Sequence, residues 1–299
     1  MKQVVRKAVI PAAGFGTRML PATKAVPKEM LPIVDIPTIQ YVVEEAIESG
    51  ITDILMVIGK GKRNIEEHFD SNPALEDALE ERQKNELLET IRSIGKGAQI
   101  HYVWQKELNG LGDAVRYAKY HVGNEPFLVL LGDCILRSAT QIPVSRQLIE
   151  VYEKHQGSVI GLERVDPALV YRYGVMDGVE IENRTFKVDQ FVEKPPVEEA
   201  PSNLVIAARY LLMPEIFSYL EKVPRGAGNE IQLTDAMAMM LKDQAMYALE
   251  FEGKRYDIGN KVNFIKTNLL FGLERDDMRE ELREWLIALA EEMKKPEQV

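Results

Sequence analysis

Hydrophobic and polar positions fall in blocks along this chain, and the period of the pattern changes from block to block. Lys7 to Ala12 (KAVIPA) is a short apolar run that soon meets Gly14. Thr38 to Ser49 (TIQYVVEEAIES) repeats its apolar positions every three to four residues and stops at Gly50, as an amphipathic helix does. Asp53 to Ile58 (DILMVI) predicts a buried strand, and Pro73 to Ile94, rich in Glu, Leu, Ala and Lys, a helix. Gln99 to Trp104 predicts a strand and Asp113 to His121 a helix. Phe127 to Leu131 (FLVLL) is a fully apolar strand followed by Gly132-Asp133. Strands that alternate with helices predict an α/β fold whose central sheet is mostly parallel and flanked by helices.

The second half is more mixed. Ser158 to Arg164, Gly174 to Ile181, Phe186 to Glu193, Leu204 to Leu212 and Ala245 to Glu250 predict strands, and Ile231 to Leu241 and Lys261 to Phe271 helices. No repeat, low-complexity tract or linker separates the halves, which predicts one continuous α/β unit with a ligand cleft. From about residue 274 to 294 runs a charged C-terminal helix. Met278, Leu282, Trp285, Leu289 and Met293 form one stripe along it. Such a stripe needs cover from its own domain or from another subunit.

Composition narrows the classes. The chain has 299 residues, 45% of them hydrophobic, enough for an ample core. No apolar run approaches the roughly 20 residues of a membrane span, and the basic N-terminal stretch does not read as a secretory pattern. The single cysteine, Cys134, excludes a disulfide framework and is read as a small buried hydrophobe. His68, His101, His121 and His155 are scattered without ligand spacing. These features predict a cytoplasmic protein. The net charge of −10 speaks against a nucleic-acid binder. Yet residues 1 to 34 carry Lys2, Arg6, Lys7, Arg18, Lys24 and Lys28 against Glu29 alone. Such a patch suits a phosphate-bearing ligand, or reflects chance clustering.

The first strand runs into Ala12-Ala13-Gly14-Phe15-Gly16-Thr17-Arg18. Glycines there allow a tight turn whose amides face anionic oxygens, and Arg18 can grip them in a fork. A dinucleotide fingerprint needs glycine where Met19 stands, and the Gly-Lys-Ser/Thr of a P-loop is absent. Ten residues after Arg18 comes Pro27-Lys28-Glu29-Met30-Leu31-Pro32, whose prolines fix an extended segment.

Gly-x-Gly-Thr-Arg, Pro21, Lys24 and Pro-Lys-Glu-Met-Leu-Pro, in that order, resemble the sugar nucleotidyltransferases, and in particular the bacterial UTP–glucose-1-phosphate uridylyltransferases. The resemblance runs to about Leu273. It implies a Rossmann-like nucleotidyltransferase domain over 1–272. Its nucleotide-binding half covers about 1–135 and its sugar-binding half about 136–272. A helical tail over 273–299 implies a homo-oligomer, a dimer or tetramer. The turn residues Ala12, Ala13, Gly14, Gly16 and Thr17 would then hold the triphosphate. Glu29, Gln105, Gly110 and Gly112 would form the base site, with Gln105 matching the N3–H and O4 edge of uracil. Where the family commonly has His after this glycine the chain has Asp113, expected to point away. Gly174, Glu193, Lys194 and Asn203 would bind the sugar, and Asn229 to Asp235 would open a helix with structural duties. Asp133 and Asp257 would hold Mg2+, although Cys134 replaces a second acid found in some relatives. Arg18, Lys28, Asp133, Lys194 and Asp257 would carry catalysis with UTP and glucose 1-phosphate as substrates. Transfer from dTTP, and a non-catalytic nucleotide-sugar-binding regulatory protein, stay open as alternatives.

Overall fold

A computed structural model of the chain describes residues 3–294. Lys2 of the basic N-terminal segment and the last five residues of the tail lie outside them. Strand β1 (Lys7–Ala12) leads through three short 3-10 turns to a small ribbon of β2 (Pro32–Ile33) and β3 (Ile36–Pro37), then to helix α1 (Thr38–Glu48). Next come β4 (Asp53–Ile58), α2 (Arg63–Phe69), α3 (Pro73–Glu81), α4 (Asn85–Ser93) and β5 (Gln99–Trp104). Two short helices, α5 (Leu111–Arg116) and α6 (Lys119–Val122), precede β6 (Phe127–Leu130) and β7 (Cys134–Ser138). The second half contains α7 (Val144–His155), β8 (Val159–Arg164), β9 (Gly174–Glu182), β10 (Thr185–Glu193) and β11 (Leu204–Leu212). It continues through α8 (Ile216–Leu220), α9 (Leu233–Met240), β12 (Tyr247–Glu250), β13 (Gly253–Asp257), α10 (Lys261–Glu274) and α11 (Arg279–Met293).

Nine strands join in one sheet, in the order β5-β4-β1-β6-β11-β8-β12-β10-β9. The pairings β5–β4, β4–β1, β1–β6 and β8–β12 are parallel, and only β11 and β10 run against the rest. The mostly parallel α/β sheet that the pattern predicts is therefore present. Side chains of β1 alternate between faces: Ala8 and Ile10 enter a core shared with α1 and α7, Val9 one shared with α5, α8 and α9.

Two local expectations need correction, and some elements were not foreseen. The helix predicted over Pro73 to Ile94 is two helices, broken where Gln83 takes a left-handed φ of 55°. The last turn of α3 carries Glu80 and Glu81 with no base, the wrong sign for a helix C-terminus. The helix predicted from Asp113 starts at Leu111 and breaks after Arg116. Helix α7 and the ribbon of β7 with β13 are not among the predicted elements. Along α7 the buried positions Val144, Leu148 and Tyr152 do recur every four residues.

The ribbon is anchored from below. Strand β11 shifts register between Ile206 and Tyr210, with Ala208 left-handed at φ 62°. This bulge turns Arg209 into the core, where it pairs with Glu45 of α1 at 2.6 Å and donates to the Cys134 carbonyl at 3.0 Å. Helix α11 packs on α10 through Leu282, which lies against Gly272, but Trp285 and Met293 of the predicted stripe remain exposed. Among the described residues no helix is long and apolar enough to cross a membrane.

Candidate active site

Parallel strands leave their carboxyl ends in a row, where α/β sheets bind ligands. Here β5 leads straight into Gln105, β1 into the Gly14–Gly16 turn, and β6, three residues past its end, into Asp133. Gly16 adopts φ 65°, and a Cβ on it would fall 3.0 Å from Cβ of Lys28. The second glycine is thus needed both for a left-handed turn and for close approach of the Pro27–Pro32 segment. Arg18 follows in a 3-10 turn, its guanidinium NH2 2.9 Å from where a Gly259 Cβ would sit.

Lys28 Nζ donates to Asp133 Oδ2 at 2.5 Å. Burial works against both charges, but their mutual attraction outweighs it. Lys28 is held above its ordinary value with help from Glu29, and the Asp133 carboxyl below its own. Asp257 stands opposite Cys134 on the ribbon and accepts from the Gly259 amide at 2.8 Å. Strand register therefore brings two acids 124 positions apart in sequence to one end of one ribbon. Cys134 is buried as expected, and burial pushes its thiol up to about 12.

Across the cleft, β9 and β10 pair Gly174 with Glu193. A Cβ on Gly174 would fall 3.2 Å from Glu193 Oε2, so these two sequence-predicted residues share one spot. Lys194, left-handed at φ 47°, donates its amide to the Tyr173 carbonyl and pairs with Glu193 at 3.1 Å. Arg18, Lys28, Asp133, Gly174, Glu193, Lys194 and Asp257 all line one cavity of about 620 Å³. Among the described residues no three His, Cys, Asp or Glu side chains close a metal cage.

Other expected residues lie outside that lining. Glu29 is buried and bonded to Lys62 Nζ at 2.7 Å. Burial raises its carboxyl above the ordinary range despite Lys62 and Lys28. Asn203 bridges the Arg164 side chain and the Val165 carbonyl. Gly112 sits against the Ile231 carbonyl, 2.7 Å from where its Cβ would be, and donates its amide there. Gly110, at φ 102°, packs on Glu230. The Asn229–Asp235 segment thus clamps the loop before α5. Asp113 is buried and accepts from Gln105 Nε2 at 2.9 Å.

Sequence reading missed several cavity residues. Gln232 and Thr234 belong to the motif assigned structural duties, yet they line the cleft. Arg255 also faces it, paired with Glu163 and lying over the Tyr173 ring at 4.6 Å. Strand alternation places Arg255 on the same face as Asp257 two residues on, a signal that was available. Arg172 carries no such signal.

One cleft at the carboxyl ends of parallel strands thus gathers Arg18, Lys28 and Lys194 with Asp133 and Asp257. The chain matches the nucleotidyl transferase family model over residues 7–271 and belongs to that family. A Bacillus subtilis (strain 168) relative named UTP–glucose-1-phosphate uridylyltransferase is 55% identical over 278 residues, 93% of this chain and 94% of its own length. The UTP-bound UGPase from Acinetobacter baumannii matches with a TM-score of 0.88 and 39% identity, over 95% of this chain and 99% of that one. A UDP-glucose pyrophosphorylase complexed with UDP-glucose matches at 0.83 and 41%, over 91% and 100%.

Proposed function

We propose that this protein is a UTP–glucose-1-phosphate uridylyltransferase, making UDP-glucose and pyrophosphate. The observation that carries this reading is the single cavity lined by Arg18, Lys28, Asp133, Glu193, Lys194 and Asp257. The relatives' names supply the substrate pair.

A phosphate oxygen of glucose 1-phosphate attacks the α-phosphorus of UTP. The bond from that phosphorus to the β-bridging oxygen breaks in line, and pyrophosphate leaves. No protein nucleophile is needed, so the work is positioning and charge neutralisation. Arg18 and the amides of the turn at Ala12, Ala13, Gly14, Gly16 and Thr17 hold the triphosphate. Lys28 exchanges its contact with Asp133 for the reacting phosphates, and Lys194 draws in the sugar phosphate. Glu193 and the Gly174 backbone receive the glucose hydroxyls, with Asn203 bracing the far strand ends through Arg164. Gln105 reads the base, with Glu29, Gly110 and Gly112 shaping the wall behind it.

Asp133 and Asp257 suit Mg2+, which takes one or two carboxylates and completes its shell with water and phosphate. When bound, that ion would neutralise charge on the α-phosphate. Residues 1–272 act as one catalytic unit whose halves carry nucleotide and sugar. The exposed α11 side chains favour a homo-oligomer, a dimer or tetramer, built through the tail, and the protein works in the cytoplasm.

The test is pyrophosphate release with Mg2+ across panels of nucleoside triphosphates and sugar 1-phosphates. UTP with glucose 1-phosphate should lead. Release from no pair would favour a non-catalytic sensor, and dTTP well ahead of UTP would overturn the base assignment.

A further inference from the structure

Gln105 presents a carboxamide, and a carboxamide can face a base in either of two orientations. With Oε1 toward ring position 3 and Nε2 toward position 4 it complements uracil, a donor beside an acceptor. Turned over, it complements cytosine, an acceptor beside a donor. A free glutamine would therefore choose poorly between the two. Here the choice is made from behind. Gln105 Nε2 donates to Asp113 Oδ2 at 2.9 Å, and both side chains are buried. An ionised carboxylate only accepts, so the amide nitrogen must face Asp113 and Oε1 must face the other way. The second oxygen of Asp113 accepts from Arg116 at 3.4 Å, which keeps a cation beside the carboxylate. Neither Gln105 nor Asp113 is in the lining of the cleft that holds Lys28 and Asp133, and Asp113 borders a separate hollow with Arg116 and Tyr117. It sits behind Gln105, at the β5 end of the row of strand ends, and Gly59, just past the end of the intervening β4, lies against the backbone of Ala13 in the phosphate turn.

We infer that Asp113 is a specificity-setting positioning residue: it locks the Gln105 amide in its uracil-reading orientation and so makes the protein reject CTP. This rests on the proposed uridylyltransferase reading. Thymine shares uracil's hydrogen-bonding edge, so the lock does not separate dTTP from UTP.

Asp113→Asn keeps the shape and removes the accept-only character. Its single oxygen is drawn to Arg116, which turns its amide nitrogen toward Gln105 and invites the opposite orientation. The ratio of kcat/KM for UTP over CTP should fall on the order of 10- to 100-fold, while the UTP over dTTP ratio stays within about twofold. In a Gln105→Leu background, Asp113→Asn should change neither ratio further. Asp113→Ser is a second variant should the asparagine form fail to fold, with melting temperature as the check. A parallel loss with all three nucleotides would mean a merely structural role and overturn the inference. So would an unchanged UTP over CTP ratio, or a shift that survives Gln105→Leu. A wild-type protein that does not use UTP sinks the underlying reading instead, and that result is visible before any variant is made.

Discussion

Lys62→Met tests the buried pair behind the phosphate turn. Lys62 and Glu29 are 5% and 1% exposed and 2.7 Å apart, so the substitution strands a carboxylate in the interior. Breaking a buried pair by deleting one partner costs about 3–5 kcal/mol. Unfolding entropy of about 2.1 cal/mol/K per residue over 299 residues converts this to a melting temperature lower by about 5–8 °C. The loss also depends on pH. Burial already holds the Glu29 carboxyl above its ordinary value, so folding favours its protonated form. The stability this contributes is full below the unfolded value and is lost as pH rises through the folded one. Removing Lys62 raises the folded value further, so the variant should lose more at about pH 8 than at about pH 5. Scanning calorimetry at both values is the assay, with Glu29→Gln added in a double variant to recover most of the loss. A Lys62→Met protein within about 1 kcal/mol of wild type at the higher pH would refute the reasoning, and so would a double variant no more stable than the single.

Other outcomes follow from the cleft. Asp133→Asn should cut kcat roughly 100-fold or more in Mg2+-dependent pyrophosphate release, since it halves the paired carboxylates and unpairs Lys28. With Lys28 holding Asp133 below its ordinary range, wild type should keep the stability of that pair until pH falls through the lowered value, readable in an acid-unfolding curve. Lys194→Ala should raise KM for glucose 1-phosphate roughly 10- to 100-fold and leave KM for UTP nearly unchanged in steady-state kinetics. Cys134 should resist a thiol reagent in the native protein and react fully once unfolded, because burial holds its thiol near about 12.

Much of the sheet was legible because each strand carries its own signal. FLVLL is apolar throughout and DILMVI is apolar after Asp53, and a strand buried on both faces reads that way wherever it lies. The phosphate turn was equally local: Gly16, Arg18 and Lys28 fall within 13 residues, and the glycine's φ of 65° is a demand its own neighbours make. The split of Pro73–Ile94 was less legible, because an exposed helix has no core to hold its register across Gln83.

By itself, then, the sequence determined which residue types could carry nucleotide chemistry and which strand ends they followed. Only the tertiary structure decided what each one faces. Asp133 and Asp257 meet because β7 and β13 pair in one register, and Gly174 meets Glu193 for the same reason on β9 and β10. Lys62 behind Glu29, and Asp113 behind Gln105, have no signature along the chain. The physical cause is that a buried polar group must find its partner wherever folding brings one near, and that partner is chosen by packing in three dimensions rather than by spacing in one.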